Sequence, residues 1–167
     1  INPGDEVLVP TPYWVSYADQ IKMNEGVPVF VTATEEHHFK VTVDQLEAAR
    51  TDKTKVLLLN SPSNPTGMIY SREELETIGN WAVEHDLLIL ADDIYGRLGY
   101  NGKTFTTISS ISESIRQKTI VINGVAKAYA MTGWRVGYAV GNPEIIAAMG
   151  KIIGQTTSNL TTVAQYA

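Results

Sequence analysis

Lys55-Val56-Leu57-Leu58-Leu59-Asn60 is a continuous apolar run closed at both ends by polar residues. A strand with one wet face would alternate apolar and polar side chains. An unbroken run of this length instead predicts a strand buried on both faces, as in parallel sheets covered by helices. The pattern recurs at Leu87 to Ala91, ending at Asp92, and at Thr119 to Val125, ending just before Lys127. Shorter runs at Val7 to Pro10, Val27 to Thr32 and Trp134 to Val140 are read as further strands.

Helical patterns separate these runs. Tyr13 to Met23 reads as a helix that stops near Gly26. Thr42 and Gln45 form a capping box before Leu46 to Arg50. Ser71 and Glu74 form a second one, opening a helix with Leu75, Ile78 and Ala82 on one stripe. Asn142-Pro143 supplies a cap and a first-turn proline to a helix whose apolar face holds Ile145, Met149 and Ile152. Strands alternating with helices predict an α/β fold, a three-layer sandwich around a mostly parallel central sheet. The whole chain, residues 1–167, is read as a single domain.

Composition narrows the classes. The 167 residues are enough for one domain with a real core. Apolar residues make up 44% and charged residues 19%, ordinary for a globular protein. A net charge of −5 and the lack of any Lys/Arg cluster argue against a nucleic-acid surface. No apolar run has the length of a membrane span, and there is no signal-peptide pattern; the expected location is the cytoplasm. With no cysteine, thiolate metal sites and disulfides are excluded. The chain opens at Ile1 and closes at Ala167 within an expected helix, so the expectation is a piece of a longer protein.

In parallel sheets, ligands gather outside the carboxyl ends of the strands. Asn64, Asp92 and Lys127 each follow such an end and are expected to share one crevice. Lys127 has two readings, a solvated strand-end charge or, if desolvated, a nucleophilic amine able to form a Schiff base with an aldehyde. Asp92 could cap a helix or serve as a counter-charge, with the Tyr95 phenol nearby. Asn64 lies in the turn Ser61-Pro62-Ser63-Asn64-Pro65-Thr66-Gly67, and its amide can donate and accept. Arg135 stands among Trp134, Val136 and Tyr138; burial there would demand an anion, such as a phosphate. Trp81 and Trp134 are assigned to the core, and so is Trp14 on its residue type alone. His37-His38 is read as an exposed turn rather than a metal site.

Asn2-Pro3-Gly4-Asp5, Pro12-Tyr13-Trp14, Asn64-Pro65-Thr66-Gly67, Asp92-Asp93-Ile94-Tyr95 and the run from Lys127 to Tyr138 occur in the order found in one family. Together they resemble the large, cofactor-binding domain of fold-type I pyridoxal-phosphate enzymes, nearest the aspartate aminotransferases of class I. The resemblance implies that pyridoxal 5′-phosphate attaches to Lys127, which then moves protons. Asp92 would pair with the ring nitrogen, Tyr95 and Asn64 with the phenolic oxygen, and Arg135 with the phosphate. Trp14 would stack on the ring, and Trp14 and Asn64 would also meet the substrate. Pro12 and Pro65 stand where the family often has cis peptide bonds. Ala126 and Gly124 replace two serines common near the lysine, and Asp93 replaces a more usual Glu. Thr157-Ser158-Asn159 resembles a segment that reaches a neighbouring subunit, with Leu160 where Pro is common.

The implied activity is ping-pong transfer of the amino group of aspartate to 2-oxoglutarate, with small amino and 2-oxo acids as substrates. The parent is expected to be a homodimer, and this chain alone is expected to show negligible turnover. Aromatic or alanine aminotransferases and carbon–sulfur β-lyases share the same residues and stay open. So does a non-catalytic domain that senses the cofactor. A nucleotide-binding domain is excluded, because neither a Gly-x-Gly-x-x-Gly turn nor a phosphate loop is present.

Overall fold

A computed structural model describes residues 1–167. Six strands form one sheet: β1 (Glu6–Thr11), β2 (Val27–Thr32), β3 (Thr54–Asn60), β4 (Leu88–Asp92), β5 (Thr119–Gly124) and β6 (Gly137–Val140). The spatial order is β2-β1-β3-β4-β5-β6. All neighbours are parallel except β5 and β6, which are antiparallel. The expected α/β architecture with a mostly parallel sheet is present.

The helices are α1 (Ser16–Met23), α2 (Val43–Ala49), α3 (Arg72–Glu84), α4 (Glu113–Lys118), α5 (Pro143–Thr156) and α6 (Thr162–Tyr166). From β1 the chain steps outward to β2, then reverses across β1 to β3 and continues to β4 and β5. Right-handed crossovers therefore place α1 on one face and α2, α3 and α4 on the other. The apolar strands divide accordingly, by alternate residues. Leu8, Leu57, Leu59, Ile89 and Ala91 join Leu46, Leu75, Ile78 and Ile115 in a cluster of 17 buried residues. Val7, Val9 and Leu58 meet Tyr17 and Ile21 of α1 in a cluster of only five. Each fully buried leucine or isoleucine contributes about 1.5–3 kcal/mol from area removed from water.

Local chemistry accounts for the helix starts. Both expected capping boxes form, Thr42 with Gln45 and Ser71 with Glu74. Asn142 Oδ1 accepts from the Glu144 N–H at 2.9 Å and caps α5. Ser112 caps α4, a short helix with no counterpart in the sequence reading.

Other expectations shift. The helix read from Tyr13 begins at Ser16, because Tyr13 to Val15 form the turn that follows the cis Thr11-Pro12 peptide. Asn64-Pro65 is also cis, as is Ser61-Pro62. The strand read from Trp134 begins only at Gly137. Thr132–Trp134 form a 3-10 turn, and Arg135 takes a left-handed conformation at φ 55°. Trp81 is buried as expected, but Trp134 is exposed, in the turn that leads into the edge strand β6. No helix is long and apolar enough to cross a membrane.

Candidate active site

The carboxyl ends of β3, β4 and β5 open onto a cavity of about 330 Å³. Its walls include Trp14, Tyr17, Asn64, Asp92, Tyr95 and Lys127. Five of the six residues singled out in the sequence therefore meet, although they span more than 110 positions of the chain.

Asp92 is the last residue of β4, paired in register with Asn60, the last of β3. Its carboxylate is fixed on both oxygens. Oδ2 accepts from the Tyr17 hydroxyl at 2.6 Å, and Oδ1 accepts from the Ile94 N–H at 3.1 Å. Tyr17 is 5% exposed. Burial, then the charge and hydrogen bond of Asp92, push its phenol far above the ordinary tyrosine range. It therefore remains a donor at any physiological pH. Trp14 stands edge-on to Tyr17, ring centroids 5.3 Å apart, and is 41% exposed at the cavity wall. The core assignment for Trp14 is thus not met.

Asn64 is aimed by its loop. Asn60 Oδ1 accepts from the Asn64 N–H at 2.7 Å, and the Gly67 N–H donates to the Ser63 carbonyl at 2.8 Å. Lys127 lies just past β5, with its Nζ 5.9 Å from the centre of the Tyr95 ring. Its side chain is exposed rather than desolvated. Gly124 makes this corner possible: a Cβ there would fall 2.7 Å from the Val136 carbonyl oxygen. Only glycine lets the chain entering β6 come so close to the end of β5.

Arg135 departs from expectation. Its side chain is exposed, does not line the cavity, and makes one hydrogen bond within the chain, from Nη1 to the Thr132 carbonyl at 2.9 Å. The apolar neighbours that suggested burial are themselves largely exposed on the sheet edge. Asp93, beside Asp92, is buried; burial is the main cause that raises its carboxyl to about 6. No group of His, Asp and Glu side chains is placed to hold a metal ion.

Tyr17 and Asn60 escaped the sequence reading. A phenol on a buried helical stripe needs a polar partner, which is a usable signal for Tyr17. Asn60 becomes visible only once the β3–β4 register is known.

A family model described as aminotransferase class I and II matches residues 1–167. The chain belongs to this aminotransferase family. A curated relative named asparagine–oxo-acid transaminase, from Streptococcus mutans, is 76% identical over all 167 residues. An aspartate aminotransferase from Bacillus sp. strain YM-2 is 55% identical over the same span. This chain covers 42% and 43% of those two aminotransferases. Among solved structures, the aspartate aminotransferase of Thermus thermophilus with maleate matches at TM-score 0.94 and 43% identity, over 99% of this chain and 42% of that one. An aromatic aminotransferase from Pyrococcus horikoshii matches at 0.95 and 38%, over 99% of this chain and 44% of its own.

Proposed function

We propose that this chain is the cofactor-binding domain of a longer pyridoxal-phosphate-dependent aminotransferase. The observation that carries this reading is the convergence of Asn64, Asp92, Tyr95 and Lys127 on one cavity. The volume suits a small ligand with one ring. The donor set suits this one: an amine for an aldehyde, a fixed carboxylate for a ring nitrogen, a phenol and an amide for a ring oxygen, an indole beside them. Pyridoxal phosphate, when bound, supplies the aldehyde and a ring that draws electrons from the substrate's α-carbon.

The chain's residues divide the remaining work. Lys127 Nζ holds the cofactor and then carries the proton to and from the substrate α-carbon. Asp92, held by Tyr17 and the Ile94 N–H, keeps a proton on the ring nitrogen. Tyr95 and Asn64 bind the ring oxygen, and Asn64 with Trp14 orients the substrate. Arg135 is the proposed anion partner for the phosphate, acting from outside the cavity lining.

The amino donor in this reading is aspartate and the acceptor 2-oxoglutarate. A second reading takes asparagine as donor, favoured by the name of the 76% identical relative. A homodimeric, cytoplasmic parent is part of the proposal and rests on family resemblance alone.

The test is to incubate the chain, and separately the longer protein, with pyridoxal phosphate, reduce with borohydride and map the label. A single adduct on Lys127 is expected in the longer protein. Labelling scattered over surface lysines in both would overturn the reading. Turnover of aspartate against asparagine by the longer protein then separates the two donors.

A further inference from the structure

We infer that Asn60 is a positioning residue for the reaction, setting Asp92 and Asn64 relative to each other through one side-chain amide. The inference rests on the function proposed above.

Asn60 does not line the cavity. It ends β3 directly opposite Asp92 at the end of β4. Its Nδ2 donates to the Asp92 main-chain carbonyl at 2.8 Å. Its Oδ1 accepts from the Asn64 N–H at 2.7 Å. One planar group thus spans the two places where the site's backbone leaves the sheet. The donor face fixes the end of β4, from which the Asp92 carboxylate projects. The acceptor face fixes the turn that presents Asn64.

The ladder between β3 and β4 ends at this pair; beyond it β4 is held only from the β5 side, where Asp92 pairs with Ile122 and the Asp93 N–H donates to the Ile122 carbonyl at 2.9 Å. The Asn64 loop keeps its own internal bonds, Ser63 N–H to the Met68 carbonyl and Gly67 N–H to the Ser63 carbonyl. Those shape the loop, but neither ties it to Asp92. Asn60 makes that tie.

The side-chain chemistry is specific. An amide offers a donor and an acceptor on one branch point. Asp keeps the acceptor, loses the donor and turns a negative oxygen toward the Asp92 carbonyl. Leu has a similar shape and neither function. Misplacement of reacting groups by about 1 Å can cost up to roughly a hundredfold in rate.

The experiment compares wild type, Asn60→Leu and Asn60→Asp in the longer protein, loaded with pyridoxal phosphate. Four quantities are read: the borohydride adduct at Lys127, the dissociation constant for pyridoxal phosphate, the pH midpoint of the bound cofactor's visible absorption, and kcat/KM. Asn60→Leu is expected to keep the adduct, raise the dissociation constant about tenfold and lower kcat/KM by roughly ten- to a hundredfold. Asn60→Asp is expected to shift the absorption midpoint, because Asp92 loses its tie and a negative oxygen is turned toward its carbonyl. Should Asn60→Leu fail to fold, Asn60→Ala, which removes both functions and adds no charge, takes its place. A lowered melting temperature with unchanged cofactor affinity, midpoint and kcat/KM would make Asn60 merely structural and overturn the inference. Absence of the Lys127 adduct in wild type would instead overturn the functional reading beneath it.

Discussion

The Tyr17 hydroxyl donates to Asp92 Oδ2 over 2.6 Å, joining the first helix to the end of the fourth strand across 75 positions of sequence. Tyr17→Phe removes this donor and leaves the ring in place. Loss of one hydrogen bond to a charged acceptor costs about 1.5–3 kcal/mol. The variant is expected to unfold at lower urea by that amount, with its helical circular dichroism unchanged. A midpoint equal to wild type would mean that water replaces the phenol without loss.

Asp93 sets a pH dependence. Burial holds its carboxyl at about 6 in the folded chain, against an ordinary 3.8. Between those values the folded chain binds more protons than the unfolded chain. Stability is therefore fully present below 3.8 and declines as pH rises through about 6. The decline is of order 3 kcal/mol. Asp93→Asn is expected to abolish it, matching wild type at acid pH and exceeding it above neutrality. Urea titrations at both pH values check this; curves that run parallel across the range would remove Asp93 as the cause.

Lys127→Ala separates chemistry from folding. The side chain is exposed, so stability should change by no more than about 0.5 kcal/mol. Loss of the proton transfer proposed for it is worth roughly 10²–10⁴-fold in kcat. Without cofactor the longer protein carrying the change should melt with wild type; with cofactor it should show a collapsed kcat. Retention of more than a tenth of the turnover would assign the proton transfer elsewhere.

Gly79 sits in mid-helix in α3, where alanine gains up to about 1 kcal/mol of helix propensity. A Cβ there would lie 2.6 Å from Ile115 Cδ1, and Ile115 is fully buried under α3. Overpacking costs about 1–3 kcal/mol, so packing outweighs propensity. Gly79→Ala should lower stability by about 1 kcal/mol. Thermal melts of Gly79→Ala alone and with Ile115→Val check the sign, because the smaller partner should relieve the clash.

The interior strands were legible because burial on both faces leaves an unbroken apolar run, as in Val56 to Leu59 and Leu87 to Ala91. The cavity followed from them, since Asp92 ends β4 and Asn64 and Lys127 stand just past strand ends. Arg135 and Trp134 misled for the converse reason. Their neighbours are apolar, but exposure at an edge strand depends on what lies across it, which local sequence does not encode. Tyr17 and Asn60 depended on helix placement and strand register, both properties of the assembled sheet.

The unequal covering of the sheet bears on how the cavity moves. Tyr17, Asp92 and Asn64 are carried by elements rooted in the central strands β1, β3 and β4. The opposite wall, from Lys127 to Gly137, leads into a four-residue edge strand with no fully buried residue. Amide exchange should distinguish them: β6 should exchange through cheap local fraying, β3 and β4 only near the cost of global unfolding. The lysine then sits on the yielding half of the cavity and the carboxylate on the rigid half, so the distance between them can adjust without disturbing the core.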